Sequence, residues 1–300
     1  MRFDSSASVG IVQRLRCGAL VALCLLFAGC GTQLLYNRLD TLISFYVSTQ
    51  VSLEPGQSAG LKSALRDFLS WHRRSELPRY AEFAESLARD AAAPLGRARI
   101  DQARAEVEVL WRGSVARGAP AAARWLAGLS SAQIDELFAS FAEDDDDLRE
   151  EHCEASEQQR DREREKAFIS ATQDWVGRLS PAQRALVRER LAALVPSSCG
   201  WVESRQVVRA ALRTTVEAQR GQPGFEAEVA NLLTHPEDSW RRDYRLAFDA
   251  NREAIVSLLA ELDASFSAQQ RARLAGRLLG FAADFRELAG APAAPMKTAR

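Results

Sequence analysis

The sequence predicts an all-α protein, an elongated bundle of antiparallel amphipathic helices that includes one long charged helix. Three observations carry that prediction. Ala and Leu dominate the apolar residues while Ile occurs only six times, so unbranched side chains that lose little rotamer freedom in a helix set the preference. Apolar residues recur at three- and four-residue spacing from Leu35 onward, and few stretches alternate with the period of two that a half-buried strand needs. Prolines fall between these stripes, where a missing N–H and a fixed φ cost least.

The first stripe is Leu35, Leu39, Leu42, Ile43 and Tyr46; after Pro55 comes Leu61, Leu65, Phe68 and His72. Pro78 then marks a corner, beyond which Tyr80, Phe83, Ala84 and Leu87 start a separate helix. Ile100, Val107, Leu110 and Ser114 follow Pro94, and Ile134, Leu137, Phe138 and Phe141 follow Pro120. Phe168, Thr172, Trp175, Val176 and Leu179 precede Pro181. The last two stripes run from Trp240 to Leu262 and from Leu274 to Leu288, and they are expected to pack as an antiparallel pair.

Helix starts are marked by Ser130–Gln133, Ser180–Gln183 and Ser267–Gln270, each of which fits a capping box. Their separations of 50 and 87 residues have no fixed period, so they read as shared cap chemistry and not as a solenoid repeat. Between Glu143 and Lys166 stand twelve acids and five bases, including the run Asp144–Asp147, so no continuous core stripe is possible there. Without Gly or Pro in the segment, the expectation is a long helix in solvent with a solvated acidic face, the alternative being a flexible linker.

The chain thus divides into residues 1–29, an N-terminal helical region 30–128, a C-terminal helical region 129–289 with the charged helix, and a disordered Ala- and Pro-rich tail 290–300. Residues 1–29 read as an export signal. Arg2, Arg14 and Arg16 precede the uncharged run Cys17–Phe27, too short to cross a bilayer as a helix.

Composition excludes several function classes. Thirty-nine basic against forty acidic residues leave a net charge of −1, so no global field points to nucleic acid. There is no Gly-rich phosphate loop, Gly-x-Ser-x-Gly elbow, His-Glu-x-x-His or Cys-x-x-Cys. No cofactor, metal site or catalytic residue is expected, and with three histidines the protein is read as a non-enzyme. His152 and Cys153 are neighbours in sequence and point to different faces, which argues against a nucleophile–base pair. Cys153 and Cys199 could form a disulfide in an oxidising compartment, or stay as two separate thiols.

The densest candidate binding segment gathers Trp71, His72, Arg73, Arg74, Glu76, Arg79 and Tyr80. Two readings stand. Arg73 and Arg74 complement a helix C-terminal dipole above a packed Trp71, or the Arg forks bind an anion or a partner.

Leu26-Phe27-Ala28-Gly29-Cys30 resembles the lipobox of bacterial lipoprotein signal peptides, with Phe27 where Leu, Ile or Val is usual. The resemblance implies a diacylglycerol on the sulfur of Cys30, cleavage before it, and a lipid bilayer as partner. Gly31, in place of the Asp that retains such proteins at the inner membrane, implies an outer-membrane location facing the periplasm. Together with Leu35–Asp40, Trp71–Tyr80 and Trp175–Gln183, the lipobox resembles a proteobacterial family of uncharacterised all-helical lipoproteins, a domain of unknown function. That implies an anchored envelope module that binds another envelope protein or supports an assembly. Leu129-Ser130-Ser131-Ala132-Gln133 and Leu179-Ser180-Pro181-Ala182-Gln183 also echo the Leu-Thr-x-x-Gln repeats of small helical envelope chaperones, which makes a chaperone for unfolded clients the alternative.

Overall fold

The computed structural model describes residues 30–290. The leader 1–29, with the export signal, and residues 291–300 of the expected tail lie outside the described residues. The described residues form eleven α-helices and no strand. In order they are α1 (Cys30–Tyr36), α2 (Leu39–Gln50), α3 (Pro55–Asp90), α4 (Gly96–Ala127), α5 (Ser131–Arg149), α6 (Glu157–Val176), α7 (Pro181–Ala192), α8 (Ser198–Gln219), α9 (Phe225–Thr234), α10 (Arg242–Ala264) and α11 (Ala268–Gly290). A π-helical turn, Glu150–Glu154, follows α5, and a 3₁₀ turn, Pro236–Ser239, follows α9.

The apolar stripes close three cores. Ala123 and Leu126 of α4 meet Ile134, Leu137 and Phe138 of α5, Val216 of α8, and Phe225 and Val229 of α9. Val187 and Leu191 of α7 meet Leu258 and Leu262 of α10. Ala81 and Ala84 of α3 meet Ala282 of α11, with Phe285 beside them. The small alanines let those two helices approach closely along a shared face. Helices of the N-terminal region pack on helices of the C-terminal region, α11 on α3 and both α9 and α10 on α4, so the two regions share two of the three cores.

Three expectations are corrected. Pro78 sets no corner, because α3 runs unbroken from Pro55 to Asp90, and Pro120 likewise lies inside α4. An interior proline costs about 3 kcal/mol, and here the burial of Leu77, Ala81 and Ala84 on the same helix outweighs it. The helices from the last two stripes, α10 and α11, do not lie along each other; α10 packs on α4 and α7, while α11 packs on α3. Pairing with partners from the N-terminal region covers the alanine face of α3, which a local hairpin would leave open.

The acidic stretch is the third correction. It is divided, α5 ending in the π turn and α6 restarting where the Ser156 hydroxyl accepts the Gln159 N–H at 3.2 Å. Its acidic run is a solvated face only at Asp146 and Asp147. Asp144 and Asp145 are buried, and Asp145 takes Arg205 at 3.0 Å and Arg209 at 2.6 Å, one turn apart on α8. Two carboxylates can leave water because two guanidinium groups receive them.

The three expected capping boxes are present, and a fourth joins them at Glu54–Gln57. Each glutamine accepts its own N-cap N–H on Oε1, at 2.9 Å from Glu54, Ser130 and Ser180 and 3.0 Å from Ser267. The boxes then clasp in pairs. Gln57 and Gln133 exchange amide hydrogen bonds at 2.9 and 2.7 Å, and Gln183 and Gln270 exchange them at 3.0 Å each way. Every Nε2 spends its second hydrogen on the carbonyl two residues before the partner's cap: Gln57 on Gly128, Gln133 on Ser52, Gln183 on Ser265 and Gln270 on Arg178. Both lone pairs of each Oε1 and both hydrogens of each Nε2 are therefore used. One clasp ties the α2–α3 loop to the α4–α5 loop, and the other ties the α6–α7 loop to the α10–α11 loop.

Candidate functional site

The Trp71–Tyr80 segment lies in the middle of α3, not at a helix end, so Arg73 and Arg74 complement no C-terminal dipole of their own helix. His72 and Tyr80, eight residues apart, fall on one face. The His72 ring sits between two tyrosines: its Nδ1 lies 2.9 Å from the Tyr36 hydroxyl on α1, and its Nε2 lies 3.3 Å from the Tyr80 hydroxyl. Tyr80 meets Ser114 of α4 at 3.0 Å, and Ser114 donates to the Leu110 carbonyl at 3.2 Å.

The last bond fixes the direction of all the others. With the Ser114 proton on Leu110, Tyr80 donates to Ser114, Nε2–H of His72 donates to Tyr80, and Tyr36 donates to Nδ1. The histidine is therefore the neutral Nε2–H tautomer, and the chain of donors ends on backbone. Burial, helped by the neighbouring Arg73 charge, pushes the His72 pKa down to about 4. Burial also raises both tyrosines above their ordinary value. No member ionises near neutral pH, so the arrangement works as a polar latch.

Arg73, only 7 % exposed, reinforces it. Its guanidinium donates to Asn37 Oδ1 at 2.6 Å and to the Leu288 carbonyl in the last turn of α11 at 3.3 Å, and stands over the Tyr36 ring at 4.8 Å. One cation thus joins α1, α3 and an orphan carbonyl at the end of α11. Glu76 is buried and takes both its hydrogen bonds from Arg79, at 2.8 and 3.1 Å. Arg74 is exposed and reaches Ser70 on its own helix. Trp71 packs on Phe68 and lies under Arg117, with the ring centroid 5.5 Å from the guanidinium.

Of the expected binding segment, the structure joins His72, Arg73 and Tyr80 in one network and leaves Arg74 outside it. Sequence reasoning missed Tyr36, Asn37 and Ser114 as partners. The signal for Ser114 was a hydroxyl in an otherwise apolar stripe; Tyr36 and Asn37 carried none, being polar residues in a short connecting segment.

Cys153 and Cys199, expected as a possible disulfide, are brought together as free thiols, Cys153 in the π turn and Cys199 in the first turn of α8. A cavity of about 110 Å³ beside them is lined by Arg160, Arg164, Ser198 and Cys199, among others. No group of three or more His, Cys, Asp or Glu side chains arranged to hold a metal is found among the described residues. No helix among them is long and apolar enough to cross a membrane.

Stability should depend on pH through His72. Its folded pKa of about 4 lies below the unfolded value of 6.5, so the unfolded chain binds the extra proton between those limits. The neutral ring's contribution is complete above pH 6.5 and is lost as pH falls toward 4, by about 2 kcal/mol after discounting for partial exposure. Urea midpoints measured from pH 7 to pH 4 should fall, and His72→Gln should flatten that part of the slope. An unchanged slope in the variant would rule the latch out as its source.

Residues 49–245 match the family described as Family of unknown function (DUF6279). No curated protein and no solved structure matches the chain.

Proposed function

Because the chain belongs to the DUF6279 family of unknown function, we propose that it is a lipid-anchored bacterial envelope protein whose helical body is a non-enzymatic module for binding another protein or supporting an assembly. The observation that carries this reading is the run Cys17–Phe27, preceded by arginines, followed by Ala28-Gly29 and ending at Cys30, where α1 begins. Acylation of Cys30 sets the bilayer as first partner, and Gly31 directs the protein to the outer membrane, facing the periplasm. Several acyl chains on one residue, at about 0.8 kcal/mol per buried CH₂, hold such a protein at the bilayer almost irreversibly.

The body supports an interaction role through what it lacks and what it fixes. The His72 chain is neutral and closed on backbone, which suits a scaffold better than proton transfer. Tyr36 and Asn37, six and seven residues after the anchor, are bonded to α3, so the body stands close to the membrane and does not swing on a long tether.

Labelled palmitate should enter the protein, and Cys30→Ser should both abolish the label and release the protein from sedimented envelopes. Absence of label in the unaltered chain, or unchanged sedimentation of Cys30→Ser, overturns the anchor. A second reading, a periplasmic chaperone, is favoured by the paired Gln clasps, which extend the Leu129 and Leu179 echo to four boxes. Stoichiometric protein should then suppress aggregation of an unfolding client; no protection removes this alternative.

A further inference from the structure

We propose that Cys153 and Cys199 are a dithiol that closes to an intrachain disulfide, fastening the junction between α5 and α6 to the start of α8. They lie 46 positions apart in sequence, yet the fold packs the π turn that carries Cys153 against the helix whose first turn carries Cys199. The Cys199 thiol also faces the His152 carbonyl at 3.7 Å. Both residues are partly exposed, so a soluble oxidant can reach them.

The surroundings hold this contact from both sides. On the first, the π turn widens the helical ladder at Cys153, the chain turns extended at Ala155, and Arg160 donates to the carbonyls of Cys153 and Ala155. On the second, Trp201, one turn into α8, meets the His152 ring edge-on with centroids 5.4 Å apart. Pairing across this junction fixes the one break in the acidic stretch. A π turn and an extended residue make that break the easiest place for α5 and α6 to change their angle, and a covalent bond there removes the freedom.

The reaction needs a two-electron oxidant, for which a disulfide-bearing thiol oxidoreductase or oxidised glutathione has the right chemistry. Burial pushes the Cys153 thiol up to about 11, which keeps it protonated and makes it the slower attacker. The Cys199 sulfur attacks the oxidant's S–S bond and expels one thiol. The Cys153 sulfur then displaces the oxidant from the mixed disulfide, expelling the second thiol. Two S–H bonds of the protein are lost and one S–S bond forms, while the oxidant's S–S becomes two S–H groups.

The inference is independent of the anchor, so Cys30→Ser should give the same cross-link. The full chain is reduced, exposed to oxidised glutathione, blocked with an alkylating reagent and digested without reduction. Peptide mass spectrometry should find residues 153 and 199 joined, distinct from any product of Cys17, Cys24 or Cys30. The melting temperature of the oxidised chain should exceed that of the reduced chain by about 10 °C, as expected for a loop of this length in the chain-entropy model. Cys153→Ser and Cys199→Ser should each abolish the rise while melting, reduced, within about 2 °C of the unaltered protein. Alkylation of both thiols after oxidation, glutathione attached to each separately, or equal melting of oxidised and reduced chains would each overturn the proposal.

Discussion

Replacing Arg73 with alanine is expected to lower the melting temperature by about 10 °C, while the same change at the adjacent Arg74 should move it by no more than about 2 °C. The two side chains share a charge and a helix but not an environment. Arg73 is buried against Asn37, the Leu288 carbonyl and the Tyr36 ring, whereas Arg74 lies in solvent and touches only Ser70. Truncating Arg73 leaves the buried Leu288 carbonyl without its donor, removes the bond to Asn37 and opens space beneath Tyr36. That amounts to about 3–4 kcal/mol, and each kcal/mol shifts a chain of this size by about 2–4 °C. Arg73→Lys should recover little, since one ammonium cannot span two acceptors, one in the α1–α2 turn and one at the end of α11, as a planar fork does. Calorimetry on the three variants decides the matter. Equal losses at both arginines would mean that the segment is not an asymmetric latch, and a loss confined to Arg74 would mean that the exposed arginine, not the buried one, holds the fold.

Gln183→Ala should destabilise by about 3 kcal/mol, a large effect for one uncharged side chain. Its amide satisfies the Ser180 N–H and the Ser265 carbonyl, both part-buried, and both sides of the buried exchange with Gln270. Removing it strands each partner. The informative measurement is a double-mutant cycle in denaturant. Gln183→Ala combined with Gln270→Ala should cost clearly less than the sum of the singles, because the second change removes a group already orphaned. Gln183→Ala combined with Gln133→Ala, which belongs to the other clasp, should be additive. Additivity in both combinations would show that the glutamines act only as caps of their own helices.

Much of this architecture could be read from the residues. Helical spacing announced an all-helical chain, and Ser-x-x-Gln marked three helix starts because both halves of a capping box sit within four residues. The fourth, at Glu54, escaped notice because Glu is not among the usual N-cap residues. The amide exchange between boxes was invisible, since it joins positions 76 and 87 residues apart and depends on how loops meet. The same limit explains Pro78 and the acidic run. Local rules broke the helix at the proline and solvated Asp145, while α11 and the arginines of α8, both distant in sequence, reversed those outcomes. At the candidate site, the cluster of aromatic and charged residues was legible. Its division into a buried Arg73 and an exposed Arg74 was not, because a single residue step around a helix decides it.

The seating of α11 on α3 also governs the order in which the molecule can be completed. Leu77, Ala81 and Ala84 emerge early in synthesis, but their cover, Ala282 and its neighbours, is made some two hundred residues later. A chain still on the ribosome therefore has nothing to close over that alanine face, and contacts of such long range form slowly. That face stays open until the last helix appears, and shortening the C-terminus by even a few turns would leave the first long helix without a lid.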